Sequence, residues 1–420
     1  MKYVFAEVIT IGDELLYGQT VDTNTQWMGQ ELNRIGIKII RKTSIGDHKE
    51  DIVSALDQAR ERADIVLLTG GLGPTKDDIT KATLAEYFNS SISVHPQALA
   101  DLKALFAERN YPLTALNEQQ AALPDKCSMI PNTMGTAPGM WFEEQGKVYV
   151  SMPGVPYEMK TMMTRTVLPR LQETFTLPVI FHQMIQTVGI GESWLSEKIA
   201  EWENALPDHI KLAYLPGFGK VKLRLTAVGD DMLTLEQQVA EQVRHVVPLI
   251  EQYIFGYGDI TLEEALGRDL MKHQKTLALA ESCTGGFVAH SITSIPGSSR
   301  YFRGGLIPYD NAIKIDPLGV RQATLQQHGA VSEPTVREMA ENVRKLLGAH
   351  VGLATSGIAG PGGGSPEKPV GTIWIALADK STTVAKKLTL GQDRAVNIQR
   401  TSVAVLNLLR MHLNGGLEAS

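Results

Sequence analysis

Two cysteines in 420 residues, Cys127 and Cys283, leave no room for a disulfide framework. They stand far apart in unrelated surroundings, so a structural bridge is not expected, and a reducing cytoplasm suits the chain best. The ten histidines are scattered, with no His-x-x-x-His or Cys-x-x-Cys spacing, which argues against an ordinary zinc site. No apolar run approaches the roughly 18 residues needed to span a bilayer, so no membrane partner is expected. The first residues enter a strand pattern directly, without the layout of a signal peptide. An excess of basic residues is missing too. With 40 Lys/Arg against 46 Asp/Glu, the formal charge of −6 has the wrong sign for sequence-independent nucleic-acid binding. Long low-complexity linkers and short-period repeats are also absent. What remains is an ordinary globular composition, in a chain long enough for two or three domains.

The most informative segment is Ala280-Glu281-Ser282-Cys283-Thr284-Gly285-Gly286. It follows the apolar run 276–280 and leads into a helical pattern marked by Phe287, Val288 and Ile292. A small nucleophile at a strand-to-helix turn sits where unpaired amides and the helix dipole converge, a geometry that suits a phosphate or an oxyanion. Two other segments share this design. Gly304–Lys314 carries Tyr309 and Lys314 after an apolar stretch. Residues 354–365 run from an apolar strand into a small-residue loop containing Ser356, Gly357 and Gly360. Three such strand ends in one unit are expected to form one site at the carboxyl edge of a sheet. Ser282 and Lys314 read as nucleophile and base, provided the lysine pKa is lowered, with Tyr309 relaying a proton or orienting the lysine. Cys283 competes as nucleophile, because a thiol at a helix N-terminus is activated; its nearest histidine, His290, is expected to point away. Arg394 either reaches a substrate phosphate or a neighbouring subunit, or pairs with an acid such as Asp393.

The first 170 residues alternate strands and helices, which indicates a parallel doubly wound sheet. Strands are expected over 3–11, 37–43 and 64–69, and helices over 22–35 and 51–62. Acids gather at the strand ends, as Asp13 with Glu14, then Asp47, then Asp77 with Asp78. Asp22 and Asp47 read as helix caps. Asp77 and Asp78, beside the glycine-rich segment Gly70-Gly71-Leu72-Gly73-Pro74-Thr75, read as ligands holding Mg²⁺ against a pyrophosphate.

These N-terminal segments, with Gly12-Asp13-Glu14-Leu15-Leu16 and Asp22-Thr23-Asn24, resemble the MoaB/MogA-like molybdopterin-binding fold in its CinA-family version. Residues 131–139 and 152–159 are similar to that family as well. The C-terminal trio of segments resembles its companion, the PncC-type nicotinamide-mononucleotide deamidase domain. The resemblance implies an α/β architecture in three parts. These are a doubly wound MoaB/MogA-like domain over 1–168, a small α+β KH-like module over 169–256 and an α/β deamidase domain over 257–420. It implies that the last domain converts nicotinamide mononucleotide to nicotinate mononucleotide and ammonia without a cofactor. Ser282 would be the nucleophile, Lys314 and Tyr309 base and helper, and Thr284, Gly285, Gly286, Ser356, Gly357, Gly360 and Arg394 would bind substrate. The first domain is implied to cleave ADP-ribose to AMP and ribose 5-phosphate. There Gly70, Gly71, Gly73, Thr75 and Asn24 would hold the nucleotide, and Glu14, Asp77 and Asp78 a divalent metal. Where the family more often shows Thr-Tyr-Ser-Asn, this chain has Pro308-Tyr309-Asp310-Asn311, so Asp310 places an added charge near the lysine.

Between 183 and 256, six Lys/Arg face ten Asp/Glu, so the middle module reads as a spacer or dimerisation element and a homodimer is expected. Two other functional classes stay open at this stage. One is a molybdopterin- or nucleotide-binding protein, and the other is a non-catalytic competence or damage accessory protein.

Overall fold

The computed structural model describes residues 3–75 and 78–415. By compactness the chain divides in two, Met1–Phe181 with Val228–Leu235, and His182–Ala227 with Glu236–Ser420.

In the first unit, parallel strands run in the order Ile37–Ile45, Val4–Ile11, Ile65–Thr69 and Lys147–Met152. The expected parallel sheet is therefore present, but Gly139–Glu144 and Ser128–Ile130 extend it antiparallel at one edge. The hairpin between the strands Gly139–Glu144 and Lys147–Met152 turns at Gln145 and Gly146, both at positive φ (53° and 75°). Such a turn matches the twist of paired strands. Side chains alternate between two cores. Ala6, Val8, Ile65 and Leu67 face one, with Met28 and Leu32 of helix Thr23–Arg34. Ile9, Ile11, Val66 and Leu68 face the other, with Ile52 and Leu56 of helix Lys49–Arg62. Helices on both faces bury the central strands Val4–Ile11 and Ile65–Thr69 twice, which is why these two are apolar almost throughout, whereas the edge strand Ile37–Ile45 carries Lys38, Arg41 and Lys42 on exposed positions.

The middle module is a four-stranded sheet in the order Ile210–Gly217, Lys220–Gly229, Val179–Val188, Ile254–Tyr257. Val221, Leu223, Leu225 and Ala227 are buried, as their alternation with Lys222, Arg224 and Thr226 predicts.

The C-terminal sheet has the order Phe302–Leu306, Leu277–Glu281, Val351–Gly357, Thr372–Ala378, Thr383–Thr389. The first three strands are parallel and the last two antiparallel. Its two faces differ in side-chain size. Leu277, Leu279, Leu353 and Ile375 pack with helices Leu262–Lys272 and Arg394–Leu413. Ala278, Ala280, Ala354, Ala376 and Ala378 let helix Glu333–Leu346 lie close on the other face. A Cβ on Gly352 would stand 2.1 Å from the Ala340 carbonyl oxygen. Gly352→Ala is therefore expected to push this helix off the sheet and cost about 1–3 kcal/mol. A lowered urea midpoint would report it, with Gly362→Ala, whose Cβ meets nothing within 4 Å, as control.

Among the described residues, no helix is long and apolar enough to cross a membrane.

Candidate active site

Strand Leu277–Glu281 lies between Phe302–Leu306 and Val351–Gly357, parallel to both. The chain leaves it first towards one neighbour and later reaches the other, so the loops after these strands open a crevice at their carboxyl ends. Ser282, the Ile307–Tyr309 segment and Ser356–Gly360 all lie at this edge, where the sequence places them.

Ser282 is nearly buried. Its amide donates to the Thr355 carbonyl at 2.9 Å, which ties the turn to the neighbouring strand. Its hydroxyl has no hydrogen-bond partner among the described residues, and so is available to a substrate. Gly285 and Gly286 take positive φ (60° and 97°), which lets the chain reverse into helix Phe287–Thr293.

The expected role of the helix N-terminus needs correction. The Glu281 carboxylate already occupies it, accepting from the amides of Gly286 at 3.1 Å, Val288 at 2.9 Å and Ala289 at 2.7 Å. The Gly285 amide is bonded to the Ser282 carbonyl. Of the turn's amides, those of Cys283 and Thr284 make no hydrogen bond among the described residues. Of the expected donors Thr284, Gly285 and Gly286, only the Thr284 amide is thus unengaged, and an oxyanion at this turn would be met by Cys283 and Thr284. The amide that follows a nucleophile is the usual oxyanion donor of strand-to-helix nucleophile turns.

Lys314 is only 2% exposed. Its Nζ donates to the carbonyls of Pro308 at 2.7 Å and Tyr309 at 3.2 Å. Burial lowers its pKa below the ordinary lysine value, partly offset by the negative charge of Asp310. Lys314 follows the strand Phe302–Leu306, which pairs in parallel with the strand that ends just before Ser282. A neutral amine can donate its two hydrogens to the two carbonyls and keep its lone pair as a base. Asp310 caps helix Asn311–Ile315 by accepting from the Ala312 amide at 2.7 Å.

The Cys283 thiol is buried and its pKa is pushed up to about 12, chiefly by desolvation. It is a poor nucleophile in this setting. His290, exposed at the middle of helix Phe287–Thr293, makes no hydrogen bond to it among the described residues.

Tyr309 is 59% exposed, and its hydroxyl accepts from Arg394 Nη2 at 2.9 Å. Arg394 Nη1 donates to the Gly360 carbonyl at 2.9 Å. The guanidinium thus joins the Tyr309 segment to the glycine-rich loop, whereas Asp393 caps its own helix through the Val396 amide. The Ser356 hydroxyl donates to the Ala330 carbonyl at 2.7 Å, and Gly357 packs against Ile373, so both shape the loop. Sequence reasoning missed three residues here. Glu281 was legible as a lone acid ending an apolar strand. Thr355 shares a hydroxyl contact with Thr284 at 2.8 Å. Asn397 donates to the carbonyls of Ala359 and Gly391, and only its place one turn after Asp393 could have suggested it.

In the first unit, the loop after Ile65–Thr69 is equally constrained. A Cβ on Gly70 would meet the Ile11 carbonyl oxygen at 2.1 Å, and one on Gly71 the Thr80 hydroxyl at 2.1 Å. Asn24 Nδ2 donates to Thr69 Oγ1 and to the Gly154 carbonyl, while its buried Oδ1 has no partner among the described residues. Asp22 caps helix Thr23–Arg34 as expected. Asp47 instead accepts from the Asp13 amide at 3.1 Å, and His48 holds the cap position of the next helix.

Of the three expected metal ligands, Asp77 lies outside the described residues. Asp78 accepts from the amide and hydroxyl of Thr75 and folds back over Gly73. Glu14 is exposed beside Gly12. Among the described residues, no group of three or more His, Cys, Asp or Glu could hold a metal ion. The described acids thus do not by themselves fit a divalent cation.

Three family models match in order along the chain. They are a probable molybdopterin binding domain over residues 7–173, the damage-inducible protein CinA KH domain over 182–256 and the CinA C-terminal domain over 259–413. The CinA-like protein of Cytophaga hutchinsonii is 50% identical, over 98% of each chain. That of Amoebophilus asiaticus is 44% identical over 97% of this chain and 99% of its own. That of Flavobacterium psychrophilum is 41% identical over 96% and 97%. With half of its residues shared along nearly the full length of a relative, and all three modules in family order, the chain belongs to the CinA family.

Proposed function

We propose that the C-terminal domain is an amidohydrolase that converts nicotinamide mononucleotide to nicotinate mononucleotide and ammonia. The observation that supports this most is the buried Lys314 amine, depressed in pKa, in the segment that follows the strand paired with the one leading into Ser282, whose hydroxyl has no partner among the described residues. Ser282 Oγ attacks the carboxamide carbon as its proton passes to Lys314 Nζ. The amides of Cys283 and Thr284 stabilise the tetrahedral oxyanion. The C–N bond breaks, and ammonia leaves with the proton returned by Lys314. Water then attacks the acyl ester, gives a proton to Lys314, and releases the carboxylate as Ser282 recovers its hydrogen. Arg394, which bonds both the Tyr309 hydroxyl and the Gly360 carbonyl at the exposed rim, would receive the phosphate. The test is ammonia release from nicotinamide mononucleotide by wild type and Ser282→Ala; no release by wild type would end this reading.

For the first domain we propose a nucleotide-diphosphate site at the Gly70–Thr75 loop. The buried, unpaired Asn24 Oδ1 beside that loop favours it, since it could accept from a hydroxyl or amino group of the nucleoside. If the site is also catalytic, ADP-ribose with an added divalent cation should yield AMP and ribose 5-phosphate. Binding of ADP-ribose without these products would leave a binding role alone.

A further inference from the structure

Glu281 is the last residue of strand Leu277–Glu281, 2% exposed, and immediately precedes the nucleophile. Among the described residues no Lys, Arg or His forms an ion pair with it. Its charge is met by three backbone amides, those of Gly286, Val288 and Ala289. One residue thereby grips both ends of the turn, with its backbone paired to Thr355 in the sheet and its side chain holding the start of the helix. The four residues between are further pinned by the Ser282 amide on the Thr355 carbonyl, by the Gly285 amide on the Ser282 carbonyl and by the Thr284–Thr355 hydroxyl contact.

We propose that Glu281 is the positioning residue of this turn, holding Ser282 and the free amides of Cys283 and Thr284 in their reactive orientation. The catalytic part of this inference rests on the amidohydrolase reading above. By occupying the helix N-terminus, the carboxylate denies that end to substrate anions and leaves Cys283 and Thr284 as the turn's available donors. Burial is the main influence on the Cys283 thiol and keeps it protonated; the Thr355 hydroxyl, its own backbone amide and Arg394 favour the thiolate, and Glu281 adds a smaller contribution against it.

In Glu281→Gln one oxygen acceptor becomes an amide donor facing backbone N–H groups. The expected result in the full chain is a kcat lowered roughly ten- to a hundredfold, the scale of a misplacement near 1 Å, with KM changed little. Hydrogen exchange at Gly286, Val288 and Ala289 should rise at least about tenfold on the scale of a local opening. Alkylation of Cys283 by iodoacetamide should quicken as the loosened turn opens the buried thiol to the reagent. Glu281→Asp, which keeps the charge one methylene short, should recover part of kcat and most of the resistance to alkylation; it also serves if the glutamine variant fails to fold. Unchanged exchange and alkylation in a folded Glu281→Gln protein, with kcat within about threefold of wild type, would overturn the proposal. If wild type released no ammonia at all, the amidohydrolase reading would fail separately, and exchange and alkylation would still decide whether Glu281 holds the turn.

Discussion

Replacing Ser282 by alanine is expected to bring ammonia release from nicotinamide mononucleotide to background, a loss of at least about a thousandfold in kcat. The size follows from what the hydroxyl does. Without it, water must attack a carboxamide directly, and positioning and oxyanion stabilisation are the only accelerations left. Substrate binding should change little, because the side chain makes no hydrogen bond among the described residues and the turn is held by its neighbours. Cys283→Ala removes the competing thiol but keeps the backbone amide, and its loss should be far smaller. The high thiol pKa, about 12, means that almost none of it is thiolate near neutrality. A Ser282→Ala protein that kept turnover while Cys283→Ala lost it would reverse the assignment.

The second large effect belongs to Lys314. Lys314→Met keeps much of the buried stem but removes the base, and kcat should fall roughly a hundred- to ten-thousandfold. The sign of the pH dependence follows from the direction of the shift. The reactive form is the neutral amine, so kcat rises with pH as the lysine loses its proton. Because burial lowers its pKa, this rise should be centred below the ordinary lysine value, 10.5. Asp310 acts the other way, since its negative charge favours the ammonium and raises the pKa. Asp310→Asn should therefore move the acid limb of the pH–rate profile to lower pH and leave the plateau nearly in place. An acid limb that stays put, or moves upward, would mean that another group titrates.

The sequence made the strand-turn-helix units readable, because buried parallel strands are apolar almost throughout and end abruptly in small residues. The site was readable for the same reason. Ser282, Tyr309, Lys314 and Ser356–Gly360 all follow such strands, and three parallel neighbours bring their ends to one edge. What escaped depends on pairings between distant segments. Arg394 meets Tyr309 across 85 residues, and nothing local to either announces it. Glu281 looks like an acid ending a strand, and only the folded turn shows that its carboxylate holds three amides beyond the nucleophile. The glycines at 285 and 286 suggested open amides, but they serve the reversal of the chain, and their own N–H groups are engaged. In the first unit, the antiparallel edge depends on a hairpin at Gln145-Gly146, a weaker turn signal than Asn-Gly or Asp-Gly. The acids by the glycine-rich loop read as a metal set from spacing alone, yet Asp78 bonds to its neighbour Thr75, a short-range hydrogen bond that spacing cannot distinguish from a ligand position.

The central claim is that a serine hydroxyl beside a neutral lysine attacks the amide, and the covalent intermediate tests it most directly. The full chain would be mixed with nicotinamide mononucleotide, quenched in acid within the first turnovers and digested, and the peptide spanning Glu281–Gly286 weighed by mass spectrometry. The account predicts a gain equal to substrate minus ammonia, located on Ser282 and absent from Ser282→Ala. The same gain on Cys283 would contradict it.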